Sequence, residues 1–196
     1  MLYEVAHIIK KKFSFLWNMI EWGNAMVFSV MKRNQLKEVP SVLHGCSDVY
    51  EIRIADEADV EGLVAFFANQ PKEAFTFFKS HRFDAQSVRR VVKNKAFMTF
   101  LVKEKGVIIG YFFLRCFVNG KAFRGKMVDI NHQGRGLAKL MGVAMTKVTS
   151  VLGVRMFGSI SPENYASLAS AKASNEIKIH KTLENGDYYI EFLEKK

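Results

Sequence analysis

Between Phe97 and Leu152 the apolar residues change their spacing, and that change fixes most of the architecture. Phe97–Val102, Val107–Val118 and Ala122–Ile130 are rich in β-branched and aromatic residues and read as strands. Lys103–Gly106 joins the first two. Asn119-Gly120 joins the second pair, and Asn-Gly suits a tight turn because both central positions take positive φ. Three strands with short turns form an antiparallel meander. Next, Gly136–Leu152 carries Leu137, Leu140, Met141, Ala144, Met145, Val148 and Leu152 at helical spacing, the signature of an amphipathic helix. A strand at Val154–Ile160 follows it. A strand–helix–strand crossover places two parallel strands side by side.

The flanks extend this pattern. Tyr50–Ile54 alternates as a strand, and Asp56–Asp59 starts a helix whose buried stripe is Val60, Leu63, Val64 and Phe67. Pro71 breaks that helix; Lys72–His81 predicts a short helix or turn, and Ser87–Val92 continues helically. A further helix starts near Pro162 and Asn164, and Ile177–Leu183 and Tyr188–Leu193 flank Asn185-Gly186 as a second hairpin. The expected class is α/β (α+β mixed), with a mixed, mostly antiparallel sheet in residues 49–196.

Residues 1–48 read as a helical extension and linker. Phe13, Leu16, Trp17, Ile20, Val27, Phe28 and Met31 recur at helical spacing, with Ser14, Asn18, Glu21 and Asn24 on the other side. A central Glu and two Asn make a membrane span costly, so none is expected. The helix is expected to pack on the domain or on a second copy, as a homodimer contact. The alternative is a membrane surface, with Lys10, Lys11 and Lys12 near phosphates. Pro40 disfavours a helical residue before it, so the helix is expected to end by Gln35–Val39, with Val39–Asp48 as linker.

The chain holds 29 Lys+Arg against 19 Asp+Glu, a formal charge of +10 that attracts polyanions. Nucleic-acid binding rests on that charge alone: no recognised motif is present, and the aromatics alternate as core residues do, so no nucleic-acid partner is expected. Cys46 and Cys116 fit neither a disulfide framework nor a thiolate zinc site. A reducing, cytoplasmic setting without a metal is the simple expectation.

The chemistry-bearing segment runs from Val128 to Ala138. A strand ends, a short loop carries Gly134 and Gly136, and the amphipathic helix begins. A helix start leaves backbone N–H groups unpaired and carries partial positive charge. Glycines let that backbone approach an anion closely, which makes a phosphate or pyrophosphate site. Arg135 and Lys139 add positive charge there. The competing reading is a tight connection with no ligand. The segment lacks the Gly-Lys-Ser/Thr of a P-loop, and it follows a meander rather than a dinucleotide-binding unit.

Gln133-Gly134-Arg135-Gly136-Leu137-Ala138 resembles the Gln/Arg-x-x-Gly-x-Gly/Ala signature of the GCN5-related N-acetyltransferase (GNAT) family. Ile52-Arg53-Ile54-Ala55 with Asp59-Val60 is similar to that family's opening strand and helix, Gly110-Tyr111 to its second meander strand, and Asn164 to the Asn that opens its next helix. The resemblance spans roughly residues 50–193. It implies a sheet splayed between its fourth and fifth strands, with acetyl-CoA as cosubstrate and its pyrophosphate on Gln133 to Lys139. It implies that the pantetheine pairs with strand groups from Val128 to Ile130, that the Val128 N–H polarises the thioester carbonyl, and that Asn164 contacts the pantetheine. A helix cap is the other reading of Asn164. The implied reaction is direct attack by a small-molecule amine, in a ternary complex. The alternative is a non-catalytic acyl-CoA-binding or partner-binding module.

The chain departs from the family pattern in its acid and base positions, and Asn175-Glu176 replaces the usual Gly-Phe that ends the helix opened by Asn164. Ala171 stands where many members place a Tyr as general acid; Tyr165 falls on another face, and Tyr188, Tyr189 or a water are the substitutes. The strand before the signature offers only Asp129 as an acidic base, with His81 and His132 as imidazole candidates. Lys79, His81, Arg82 and Asp84, set among Phe77, Phe78 and Phe83, are the expected acceptor-binding cluster, against a plain solvated turn. Phe-Phe-Lys-Ser-His-Arg-Phe also resembles a segment of acetyltransferase-like proteins of bacterial surface-polysaccharide clusters, which implies an amino-sugar or sugar-nucleotide acceptor.

Overall fold

A computed structural model describes the backbone of residues 14–78 and 80–195, and side chains from residue 19 onward. The helices are α1 (Ser14–Met31), α2 (Arg33–His44), α3 (Val60–Ala68), α4 (Ala85–Lys93), α5 (Leu137–Leu152) and α6 (Tyr165–Ser174). The strands are β1 (Glu51–Ile54), β2 (Phe97–Glu104), β3 (Val107–Cys116), β4 (Lys121–Val128), β5 (Arg155–Ile160), β6 (Glu176–Thr182) and β7 (Tyr188–Leu193). They form one sheet in the order β1-β2-β3-β4-β5-β7-β6. The meander and the crossover stand as the residue spacing predicts. Of the short helix or turn expected over Lys72–His81, a single helical turn forms at Lys72–Phe75. The final hairpin folds back so that β7 lies between β5 and β6.

Helices cover both faces of the sheet. On one, Val39 and Leu43 of α2 and Met141, Ala144, Met145 and Val148 of α5 meet Phe100, Phe112 and Leu114. On the other, Leu63, Phe66 and Phe67 of α3 and Val88 of α4 meet Leu101, Tyr111 and Phe113. A strand alternates its side chains between faces, so one meander feeds both layers.

Two expectations for the extension need correction. The chain does not become a linker before Pro40: α2 carries Pro40 inside it and runs to His44. Pro40 is exposed, while its neighbour Val39 and Leu43 are fully buried. Burial of that stripe outweighs the cost of a proline in a helix interior, about 3 kcal/mol. The face of α1 that docks is also the polar one. Asn24 Nδ2 donates to the Cys116 carbonyl at 2.9 Å, Asn24 Oδ1 accepts from the Val118 N–H at 3.2 Å, and Glu21 pairs with Arg115 at 2.7 Å. Phe28 completes this stripe and is buried. Ile20, Trp22, Met26, Val27, Val30 and Met31 face outward. Phe13 and Lys10–Lys12 lie outside the described residues. Among the described residues, no helix is long and apolar enough to cross a membrane.

Asp59 ties β1 to α3. Its carboxylate accepts from Arg53 at 2.6 Å through each oxygen, from Lys103 at 3.0 Å and from the Asp56 N–H at 3.0 Å. Burial alone raises the pKa of such a carboxyl, but these donors outweigh it and hold Asp59 well below the carboxylate range. Asp59→Asn is expected to cost about 3 kcal/mol in denaturant titration at neutral pH, since it leaves two cations facing a neutral amide. A carboxyl held low in the folded state stabilises above the ordinary pKa and loses that contribution on acidification. Wild type and variant should therefore converge at low pH.

Candidate functional site

The β4–β5 ladder is short. Lys121, Ala122 and Phe123 pair with Arg155, Met156 and Phe157, and the parallel register ends there. The side of β4 that is left open follows from its pairing with β3. Asp129 N–H donates to Ile109 O at 3.0 Å and Phe117 N–H to Lys121 O at 2.8 Å, in register with Tyr111↔Met127 and Phe113↔Gly125. Odd-numbered residues of β4 therefore exchange their bonds with β3, and even-numbered ones point away from it. The parallel pairing does not continue past Phe123, and beyond Arg124 nothing pairs β4 on this side. The N–H and C=O groups of Lys126 and Val128 face the resulting gap.

The glycine loop lies at the mouth of this gap. Gly134 has φ 75° and Gly136 φ 78°, a left-handed conformation that favours glycine. A Cβ at either position would meet no atom within 4 Å, so the space in front of the loop is open. α5 starts at Leu137 with Gly136 as N-cap, and the amides of its first turn have no intrahelical partner. Gln133 and Lys139 are exposed, Ala138 is half-buried, and the Leu137 side chain is buried in the core. Arg135 is engaged within the protein, paired with Glu104 and 3.3 Å from the Tyr50 hydroxyl. Lys139 makes no ion pair among the described residues.

Asp129 and Ile130 are tied by Gln70, a residue with no local sequence signal. Gln70 Oε1 accepts the Ile130 N–H at 3.0 Å, and Gln70 Nε2 donates to Asp129 Oδ2 at 2.9 Å. The Ile130 amide is thus not free to pair with a ligand. Asp129 Oδ1 also accepts from His132 Nδ1 at 2.7 Å and from the Asn131 N–H at 3.0 Å. Burial pushes the Asp129 carboxyl up, but Gln70, His132 and the Asn131 N–H hold it below its ordinary value. A carboxylate so committed is a weak proton acceptor.

On the α3 side of the sheet, His81 joins the aromatic cluster. Its Nδ1 lies 2.7 Å from the Arg82 carbonyl, so Nδ1 carries the hydrogen. Nε2 then accepts from the Tyr111 hydroxyl at 2.8 Å. Burial lowers the His81 pKa against the opposing pull of the Arg82 carbonyl, which favours the neutral ring. Arg82 is exposed and pairs with Asp84 at 3.1 Å, while Asp84 caps α4 through the Ser87 N–H at 3.0 Å. Lys79 lies outside the described residues. Asn164 caps α6, its Oδ1 accepting from the Ser167 N–H at 3.0 Å. Ala171 is fully buried and Tyr165 is in solvent. Tyr188 packs against the core on the α5 side, and Tyr189 stacks on Phe157 with centroids 5.5 Å apart.

The largest surprise on β4 is Arg124 and Lys126. They share the face of Ala122 and Val128, under α5 and α6. Burial brings the Lys126 pKa from 10.5 to about 7, with the neighbouring Arg124 charge adding to the effect, and brings Arg124 from 12.5 to about 9. The strand alternation placed both on this face; which face would be buried was the missing piece.

Known folds compare well with this geometry. The GNAT domain of a Streptomyces lividans enzyme shares 20% identity, with a TM-score of 0.64 over 73% of this chain and 89% of that one. The Salmonella typhimurium acetyltransferase that modifies the N-terminal serine of ribosomal protein L7/L12 shares 16%, with a TM-score of 0.64 over 77% and 98%. The aminoglycoside acetyltransferase AAC(6′)-Ib, with paromomycin and acetyl-CoA bound, shares 14%, with a TM-score of 0.60 over 76% and 94%. The chain has the GNAT fold. No protein-family model and no curated protein matches the sequence. The parallel β4–β5 pair parts where the splay between the fourth and fifth strands was expected. No group of three or more potential metal ligands occurs among the described residues.

Lys126→Met tests the burial of that charge. The unfolded state binds more protons than the folded one between pH about 7 and 10.5, so the lysine's penalty is full below that window and fades through it. The variant should melt about 3–6 °C higher at pH 6, with the gain vanishing as pH rises past 10.

Proposed function

We propose that the protein is an N-acetyltransferase that moves acetyl from acetyl-CoA to a primary amine by direct attack. The observation that carries this reading is the open gap beside β4, with the Val128 amide turned into it and the exposed Gly134–Gly136 loop at its mouth. In this reading the amides from Gln133 to Lys139 hold the diphosphate. The pantetheine arm runs from the loop down to Val128 and pairs with its free carbonyl. The Val128 N–H stabilises the oxyanion that forms when the amine attacks, an effect typically worth about 10²–10³ in rate. The amine nitrogen forms the new C–N bond, the C–S bond breaks, and the thiolate leaves with a proton. Residues 49–196 carry this activity, and residues 1–48 form the extension.

His81 is the proton acceptor we favour over Asp129, because its ring is held neutral and a single hydroxyl, that of Tyr111, must leave its Nε2, while Asp129 is engaged by three donors. His81→Asn should lower kcat about 10²-fold and remove the acid limb of the pH–rate profile. The acceptor is an amino sugar or sugar nucleotide in this reading. Its support is the aromatic floor of Phe123, Phe157 and Tyr189 on the α3 side, together with the aminoglycoside held by one structural neighbour. The basic charge suits a phosphorylated acceptor. The exposed apolar side of α1 supports a homodimer through that helix. The free thiols of Cys46 and Cys116 are compatible with the cytoplasm.

Isothermal titration of the full chain with acetyl-CoA, followed by turnover on a panel of amino sugars and amines, tests the reading. Gly136→Trp should abolish binding while leaving the circular dichroism spectrum unchanged; undiminished affinity would remove the loop from the site. Ala171, buried and without a hydroxyl, favours a second reading as a binding module. Tight acetyl-CoA binding with no turnover on any amine would select it.

A further inference from the structure

Arg124 and Lys126 lie next to each other on the inward face of the strand that borders the gap. The Arg124 guanidinium sits 3.3 Å from the centroid of the Phe192 ring and donates to Asn175 Oδ1 at 3.1 Å. Lys126 Nζ donates to the Ala138 carbonyl at 2.6 Å. These partners are all neutral. Neither cation forms an ion pair among the described residues. At Arg124 β5 is still close: a Cβ at Gly158 would stand 3.2 Å from the Phe192 ring and 3.6 Å from both Arg124 Cγ and the Arg124 carbonyl oxygen, so the gap opens only beyond this point. Both side chains are half-buried, and two adjacent like charges held only by neutral partners favour an anion beside them. Among the described residues no carboxylate supplies that anion, and one carried by a ligand would.

Their position separates that anion from the diphosphate. Helix amides point toward the N-terminus and carbonyls toward the C-terminus. Lys126 is bound to a carbonyl of the first turn of α5, so it lies below the amide cradle. Along β4, Lys126 is about 7 Å and Arg124 about 13 Å from Val128. With the thioester carbonyl on the Val128 N–H, an acyl tail running down the gap meets Lys126 first, with Arg124 at the closed end. An acetyl methyl gives these cations nothing. A carboxylate two or three carbons farther along neutralises them.

We propose that Lys126 and Arg124 form a carboxylate subsite for the acyl tail, and that the cleft prefers a dicarboxylic acyl donor of succinyl or glutaryl length over acetyl. This inference rests on the acyl-CoA reading above and extends it to the donor. The transfer itself is unaltered: the amine nitrogen bonds the thioester carbon, the C–S bond breaks, the thiolate leaves with the amine's proton, and the far carboxylate stays ionised.

Titration calorimetry of the full chain with CoA, acetyl-CoA, succinyl-CoA and glutaryl-CoA tests it. Succinyl-CoA or glutaryl-CoA should bind about tenfold or more tightly than acetyl-CoA, as a charge-assisted pair requires. In Lys126→Met and Arg124→Met that ratio should fall to about twofold; Lys126→Gln and Arg124→Gln serve if the methionine variants misfold. Equal affinity for acetyl and succinyl donors in the wild type overturns the subsite and leaves the acyl-CoA reading standing. A preference that survives in both variants overturns its assignment to these residues. Failure of CoA itself to bind overturns both.

Discussion

The early end of the β4–β5 ladder is the constraint on which the rest depends. Three paired residues close the parallel strands at one end, and beyond Phe123 and Phe157 they part. Had the ladder continued, the amides of Lys126 and Val128 would be satisfied by β5 and the sheet would be an uninterrupted wall. Parting them leaves polar backbone exposed in the middle of a sheet, a state that a folded protein tolerates only where water or a ligand reaches. The antiparallel register with β3 decides which groups are offered. The glycine loop then lies directly where the strand hands over to α5.

Several nearby interactions keep that opening in shape. Gln70, at the end of α3, grips both Asp129 and the Ile130 amide, so the turn after β4 is fixed to the opposite helical layer. His132 closes on Asp129, and Arg135 closes on Glu104. The turn is thus braced by its side chains, while the amides past Gln133 stay clear. A braced turn with open amides binds an anion with little reorganisation, which is where affinity comes from in a preformed site.

What could be read from the sequence was what local periodicity encodes. The meander, the α5 helix and the final hairpin follow from spacing and from two Asn-Gly turns, so they were legible within a residue or two. Pro40 misled because its local penalty is real but smaller than the burial of Val39 and Leu43, which only the packed structure reveals. The polar stripe of α1 misled for the same reason: Asn24 finds its partners 92 and 94 residues away. Gln70 finds Asp129 and Ile130 across about 60 residues, and no pattern in its own neighbourhood announces that. Asn164 had two readings open, and its bond to the Ser167 N–H accounts for it as a cap.

The treatment of charge distinguishes the cleft from the rest of the molecule. Elsewhere, buried carboxylates are met in full: Asp59 by Arg53 and Lys103, and Glu191 by Arg155 and His180, which hold it down to about 2. The chain therefore follows the ordinary rule that a buried charge is paired. Arg124 and Lys126, half-buried where the sheet opens, have no such partner among the described residues. A fold selected only for stability would carry apolar residues on this face, as it does at Ala122 and Val128. Unpaired cations kept at a structural cost, beside a gap lined with free amides, are what a protein carries when the balancing charge arrives with its ligand.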